Sequence, residues 1–247
     1  MLETIKNAFK TKEIRNKLLF VFFGLIIVRI GCNIPLPGVN TNVIQNLFDN
    51  NQALNFLDVM TGGSFTRMSI FALNITPYIT SSIIVQLLTI AIPKLEEMQK
   101  DGEDGRKKIV AITRYLTVGL ALMESTAMAV GFGRQGLLKE FNFVNAAIVV
   151  LTLTAGSTFL MWIGERITEK GVGNGISIVL VINIISRIPS DMTTLFTKFV
   201  KGKSLASGGL AVVIIVAIIL VLVVFVVVLQ DGDIAFGMLV TNLPGAE

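Results

Sequence analysis

Six apolar runs divide the chain, and short polar or glycine- and proline-bearing pieces separate them. A helix needs about 20 residues to cross about 30 Å of hydrocarbon, and all of these runs but the fifth come near that length. The first is Leu18 to Ile34, stopped by Pro35 and Pro37, which lack the amide proton that continues a helix. The second is Phe71 to Ile92, closed by Pro93. The third and fourth are Tyr115 to Gly133 and Phe143 to Gly164. The fifth, Ile176 to Pro189, follows the glycine-rich GVGNG and extends only about 21 Å at 1.5 Å per residue. Short or glycine-interrupted segments point to a central pathway or site. The sixth, Leu210 to Leu229, is almost pure Val, Ile and Leu and reads as lipid-facing. The expected fold class is all-α, a polytopic membrane helix bundle.

The run that breaks the pattern is Gly62 to Ile92, GGSFTRMSIFALNITPYITSSIIVQLLTIAI. It opens on two glycines and one charge, Arg67, so Gly62 to Ile70 reads as a short re-entrant piece ahead of the span. Backbone of that kind is tolerated only where protein or water covers it. The span carries Asn74, Thr76, Thr80, Ser81, Ser82, Gln86 and Thr89, groups that need partners in hydrocarbon. At helical spacing Ile75, Ile79, Ser82, Gln86 and Thr89 share one face, greasy in one half and polar in the other. An apolar constriction opening into a wet vestibule has this pattern, and so does a polar stripe used for helix packing. Both readings stay open on the residues alone. Glu124, near the centre of the third run, costs about 2.5–3.5 kcal/mol on insertion scales, so it faces an interior or hydrogen-bonds a neighbouring helix.

Composition and charge narrow the class. Charged residues make up 15% of the chain, against about 25% in a soluble domain. The basic residues sit in loops without an aromatic-rich patch, which sets nucleic-acid binding aside. Histidine is absent, which excludes His-based catalysis and His metal ligation, and no metal site is expected. Cys32 is the one cysteine, so no internal disulfide forms. The first apolar run lacks a small-residue cleavage site, and no removable signal is expected. Residues 1–17 carry Lys6, Lys10, Lys12, Arg15 and Lys17, and Leu2, Ile5, Phe9 and Ile14 suggest an amphipathic interfacial helix. Lys94, Lys100, Arg106, Lys107, Lys108 and Arg114 follow the second run, whereas the loop at 35–61 has only acids as charges. Positive loops stay inside, so the N-terminus is expected in the cytoplasm, with Lys6 and Lys107 inside and Asn46 outside. Arg29 snorkels from the end of the first run, and Trp162 marks an interface. Residues 190–209 read as an outer loop.

Four motifs then carry a resemblance. They are RIG-x-x-IPLPGV (Arg29 to Val39), GGSFTRMSIFALNITPYITSSIIVQLL (Gly62 to Leu88), DGEDGRKKI (Asp101 to Ile109) and GERITEKGVGNGISI (Gly164 to Ile178). In this order, in register with the hydropathy, they make residues 1–230 resemble the SecY family, the central channel subunit of the bacterial protein translocase. The resemblance implies an inverted-repeat channel of two five-helix halves, closed by an aliphatic ring and a small plug. It implies a pore ring of Ile75, Ile79, Ile176 and Leu180, the last standing where isoleucine is common. It implies a plug of Gly62, Gly63, Ser64, Phe65, Thr66, Arg67, Met68, Ser69 and Ile70. The second and third spans would form a lateral gate wall, carrying Ser82, Gln86, Thr89 and Glu124, where glutamine is usual at the last position. The implied partners are SecE-like and SecG-like small membrane subunits, a SecA motor or ribosome, signal peptides, unfolded polypeptide and lipid. The implied location is the bacterial cytoplasmic membrane, multi-pass, with no cofactor.

The family has about ten spans and this chain six, so the expectation is a partial chain: the first half with its plug at 1–189, the outer loop and sixth helix at 190–230, and a tail at 231–247 without the family's basic stretch. Alone it is expected to insert but not to transport. The competing reading is a secondary transporter of a small solute, with Glu124 in a proton-coupled site. An intramembrane enzyme lacks support, since neither HExxH nor GxSxG occurs; energy would come from a partner, since no GxxxxGK[ST] loop occurs either. Aliphatic residues at the constriction favour a polypeptide seal over a solute site, which would place polar groups there.

Overall fold

A computed structural model describes residues 11–41, 43–44, 58–138, 140–199 and 205–241; the side chains of 205–209, 211 and 231–241 lie outside that description. The described residues are helical, with only two isolated bridges, Pro35 to Ser69 and Val39 to Leu138, in place of strands. Four helices are long and apolar enough to cross a membrane, Gly102–Leu137, Phe143–Lys170, Gly175–Phe199 and Val212–Gln230, or five if one sharply bent pair counts as a span. The protein is an all-α, multi-pass membrane helix bundle.

The first helix, α1, is Lys12–Gly31. It begins before the apolar run and takes in Ile14, which is therefore part of α1 and not of a separate interfacial helix. Residues 1–10 of that expected interfacial helix, Lys6 among them, and Asn46 lie outside the described residues. Helix α2 is Thr76–Ala91, with Pro77 in its first turn, where a missing amide proton costs nothing. The expected span began five residues earlier, at Phe71. Asn74 stops it from doing so: its φ is 53°, in the left-handed region, and the backbone turns back on itself through Ala72 to Ser69 and Asn74 to Phe71 hydrogen bonds. Ile92 is extended, as a residue before proline must be, and α3, Pro93–Lys100, leaves α2 at 102°.

Helix α4 is Gly102–Phe132, closed by a widened turn at Gly133–Leu137, and α5 is Phe143–Lys170. Both outrun their apolar cores. The segment expected as a loop between the second and third spans is helical on either side of Asp101: KLEEMQK is rich in helix formers, and Gly105 in the following helix is tolerated because a Cβ there would lie 1.7 Å from the Met98 carbonyl oxygen. Helix α6 is Gly175–Ile185; the Asn174 side chain caps it, accepting from the amides of Ile176 at 3.0 Å and Ser177 at 3.3 Å. The packing of α6 on α5 explains two glycines. A Cβ on Gly175 would lie 2.1 Å from the Gly164 carbonyl oxygen, and one on Gly164 would lie 2.3 Å from the Ile176 Cδ1. Small residues let membrane helices approach this closely.

The chain divides into two compact units, 1–187 and 188–247. Two apolar clusters hold the first. One gathers Leu36, Ile44, Phe65, Met68, Leu73, Met128, Leu137 and Leu153. The other gathers Val28, Cys32, Phe71, Ile75, Leu160, Ile163, Ile167 and Val179. The second unit contains α7, Ile188–Phe199, and α8, Leu205–Thr241. The outer loop expected at 190–209 is thus mostly helix, since IPSDMTTLFTKF has an apolar stripe at helical spacing and no internal breaker. Between Val212 and Leu229 the large side chains of α8 are exposed, as a lipid-facing helix requires.

Candidate functional site

Residues 61–75 do not form a regular helix, yet they are largely buried within the first unit. The conformation depends on Gly62 and Gly63, with φ of 67° and 80°, values that an L side chain resists. The segment is pinned at both ends and in the middle. Leu36 donates its amide to the Met68 carbonyl at 2.8 Å, and Ile70 donates to that of Ile34 at 3.0 Å, so the piece is clipped to the chain leaving α1. The Ser64 hydroxyl reaches the Thr61 carbonyl at 2.8 Å and the Phe71 carbonyl at 3.1 Å. The Thr66 amide donates to Asp58 at 2.8 Å. Ser64, Met68 and Ser69 are fully buried, Phe65 is buried, and Thr66 and Ile70 are half-buried. Arg67 is exposed and hydrogen-bonds the Asn33 side chain.

The aliphatic positions singled out for a ring separate. Ile79 on α2 and Ile176 on α6 line one cavity of about 410 Å³, together with Tyr78, Ser82, Arg114, Glu165 and Asn174. The Arg114 Nε donates to the Glu165 carboxylate at 2.8 Å across α4 and α5, so an ion pair sits in the same wall as the two isoleucines. Ile75 is 1% exposed and belongs to the apolar cluster with Phe71, Leu160 and Val179. Leu180 is half-buried and lies outside both that cavity lining and the two clusters.

The gate positions also separate. Ser82 lines the cavity with Ile79, Gln86 is exposed, and Thr89 is buried with its hydroxyl on the Gln86 carbonyl at 2.6 Å. Glu124 lines a second cavity of about 430 Å³ whose walls are Thr61, Phe65, Leu73, Thr76, Met128 and Phe132. It is half-buried and faces this open cavity next to the irregular segment. Among the described residues no group of His, Cys, Asp and Glu could hold a metal ion.

Sequence reasoning missed a set of long-range polar pairs. Asn183 on α6 donates its side-chain amide to the Asn74 side-chain oxygen at 3.1 Å, and Arg187 pairs with Asp58. These partners lie 109 and 129 residues apart, a distance at which periodicity carries no signal.

Known proteins are similar to this sequence. The SecY family model matches residues 69–237. The protein translocase subunit SecY of Pseudomonas aeruginosa is 46% identical over 179 residues, covering 72% of this chain and 40% of that one. The SecY subunit of Staphylococcus aureus is 43% identical over 196 residues, covering 78% and 46%. The chain thus spans less than half the length of these curated relatives. Among solved structures, Sec61 in the canine ribosome-channel complex from the endoplasmic reticulum is similar at 18% identity, over 75% of this chain and 38% of that one, with a TM-score of 0.49. That last likeness is too loose to carry weight. The family model spans well over half of the chain in agreement with the relatives, and on that footing the chain belongs to the SecY family.

Proposed function

We propose that this chain forms part of the wall of a protein-conducting channel, which moves unfolded secretory polypeptide across the bacterial cytoplasmic membrane and releases membrane segments sideways into lipid. The observation that carries this reading is the convergence of Ile79 and Ile176, from two different helices, on one cavity. Aliphatic side chains at a narrow point exclude water and ions by dewetting, and they seal around chains of varied sequence because they make no specific bonds. The segment 62–70, folded against the bundle without regular structure, supports a plug. The signal peptide would enter beside α2 and α4. SecE-like and SecG-like subunits, and a SecA motor or ribosome supplying energy, are the partners of this reading; the chain itself performs no chemistry on its cargo.

Orientation follows from the basic residues. Lys107, at the start of α4, is placed in the cytoplasm and Gln135, at its far end, outside. Single cysteines at these positions, in a Cys32→Ala background, should react with an impermeant thiol reagent from opposite faces of sealed vesicles. Labelling of both from one face would reverse or break the topology.

The function itself is tested by threading. Ser64 is fully buried at rest. A cysteine there should react slowly from outside, and faster once a secretory precursor is arrested in transit through a translocase assembled around this chain. Unchanged reactivity on threading would make residues 62–70 a fixed structural turn and remove the plug from the account.

A further inference from the structure

The irregular segment is held at two points, one at Asn183 on α6 and one at Arg187 in the turn that follows α6. At the first, Asn183 is fully buried and Asn74 is 2% exposed. The Asn183 amide donates to the Asn74 side-chain oxygen at 3.1 Å, and the Asn74 amide donates onward to the Met60 carbonyl at 3.1 Å. Asn183 in turn accepts from Arg29 of α1 at 3.4 Å. The Asn74 carbonyl accepts from the Ser157 hydroxyl of α5 at 3.0 Å, which fixes the left-handed residue where the segment becomes α2. At the second point, four residues on, Arg187 pairs with Asp58, whose other carboxylate oxygen accepts the Thr66 amide. Each pair is largely withdrawn from water: Asp58 has 4% of its side chain exposed and Arg187 24%. A buried amide or carboxylate that loses its partner costs more than the bond itself returned, so such pairs act all-or-none.

We propose that Asn183 and Arg187 form a latch that sets the resting position of segment 58–74. The same helix, α6, carries Ile176 in the cavity wall, so a displacement of α6 both widens that cavity and frees the segment. Residues 62–70 would then stay tethered to the chain leaving α1 through Ile34 and Leu36 and swing as a unit, because turns such as that from Ser64 to Phe71 are internal to segment 58–74. This inference rests on reading 62–70 as a plug, but it can fail separately from that reading.

Ser69 is the reporter. Its hydroxyl is buried without a hydrogen-bond partner, so a cysteine there replaces nothing the structure uses. The experiment measures thiol labelling of Ser69→Cys in a Cys32→Ala background, in membranes holding the whole chain, with no precursor added. Asn183→Leu and Arg187→Gln should each quicken labelling about tenfold, the change that a loss of about 1.4 kcal/mol in the closed state gives. Asp58→Asn keeps an acceptor for the Thr66 amide and removes the charge, and it should act like Arg187→Gln. A second reporter, Ser125→Cys at the buried Ser125–Thr154 contact between α4 and α5, should stay slow throughout. Unchanged labelling at Ser69 overturns the latch. Equal quickening at both reporters also overturns it, since the residues would then hold the whole bundle and not the segment. If Ser69 opens in these variants while threading leaves Ser64 covered, the latch stands and the plug reading falls.

Discussion

We predict that replacing Ile79 and Ile176 together with glycine, in a translocase assembled around this chain, raises the resting ion conductance by about tenfold or more, as the proposed dewetting seal requires. The same change at Ile214 and Ile218, which are 48% and 53% exposed on α8, leaves conductance as it was. The buried placement of Ile75 adds a second arm. Ile75→Ala should act first on stability, lowering it by about 2–5 kcal/mol, the usual cost of emptying a packed aliphatic site. Leak from the Ile75 variant at undiminished stability would return that residue to the ring. Leak of similar size from the Ile214 and Ile218 pair would show that conductance reports general disruption, and the cavity would lose its claim to be the seal.

The second large effect is at Gly156. A Cβ built there would stand 2.0 Å from the Ile70 carbonyl oxygen and 3.2 Å from the Phe71 ring. The obstacle is backbone of the irregular segment, which cannot turn aside as a side-chain end can. Overpacking of a fitted site costs about 1–3 kcal/mol and sometimes more, and Gly156→Leu belongs at the upper end. We expect it to expel residues 69–71 from α5 and to lower the unfolding midpoint, followed through the fluorescence of Trp162, the one tryptophan, stacked against Phe159 one turn from the contact. Gly119→Leu, where nothing lies within 4 Å, should not lower stability, and loss of a mid-helix glycine should raise it by up to about 1 kcal/mol. An unaltered midpoint for Gly156→Leu would mean that the segment does not rest against α5.

How far these features could be read from residues alone depended on range. Phe143 begins α5 as the apolar run predicts, and α6 starts within a residue of its expected place because the Asn174 cap and the glycines before it are local signals. Helix ends were less legible. Polar flanks such as GEDGRKKI and ERITEK carry helices past the hydrocarbon core, since hydropathy reports a solvent and not a backbone conformation. The start of α2 was misplaced because Asn74 takes a left-handed φ that its neighbours across the bundle, Ser157 and Asn183, support. The shared face of Ile75, Ile79 and Ser82 was half right. Ile79 and Ser82 do line one cavity, whereas Ile75 precedes the helix and turns into the core, so the helical period does not reach it. Glu124, expected beside Ser82 in one gate wall, lines a different open cavity. Those partners are set by tertiary packing, which no local pattern reports.

The most direct test of the central claim is a crosslinking contact with a moving chain. A photoreactive residue is placed at Ile79, at Ile176, and at Ile214 as the outward control, and a secretory precursor is arrested midway through a translocase assembled around this chain. The account predicts crosslinks from Ile79 and Ile176 to the translocating stretch of the precursor, and none from Ile214. Crosslinks from Ile214 alone, or none from either cavity position while the precursor is held in transit, would contradict it.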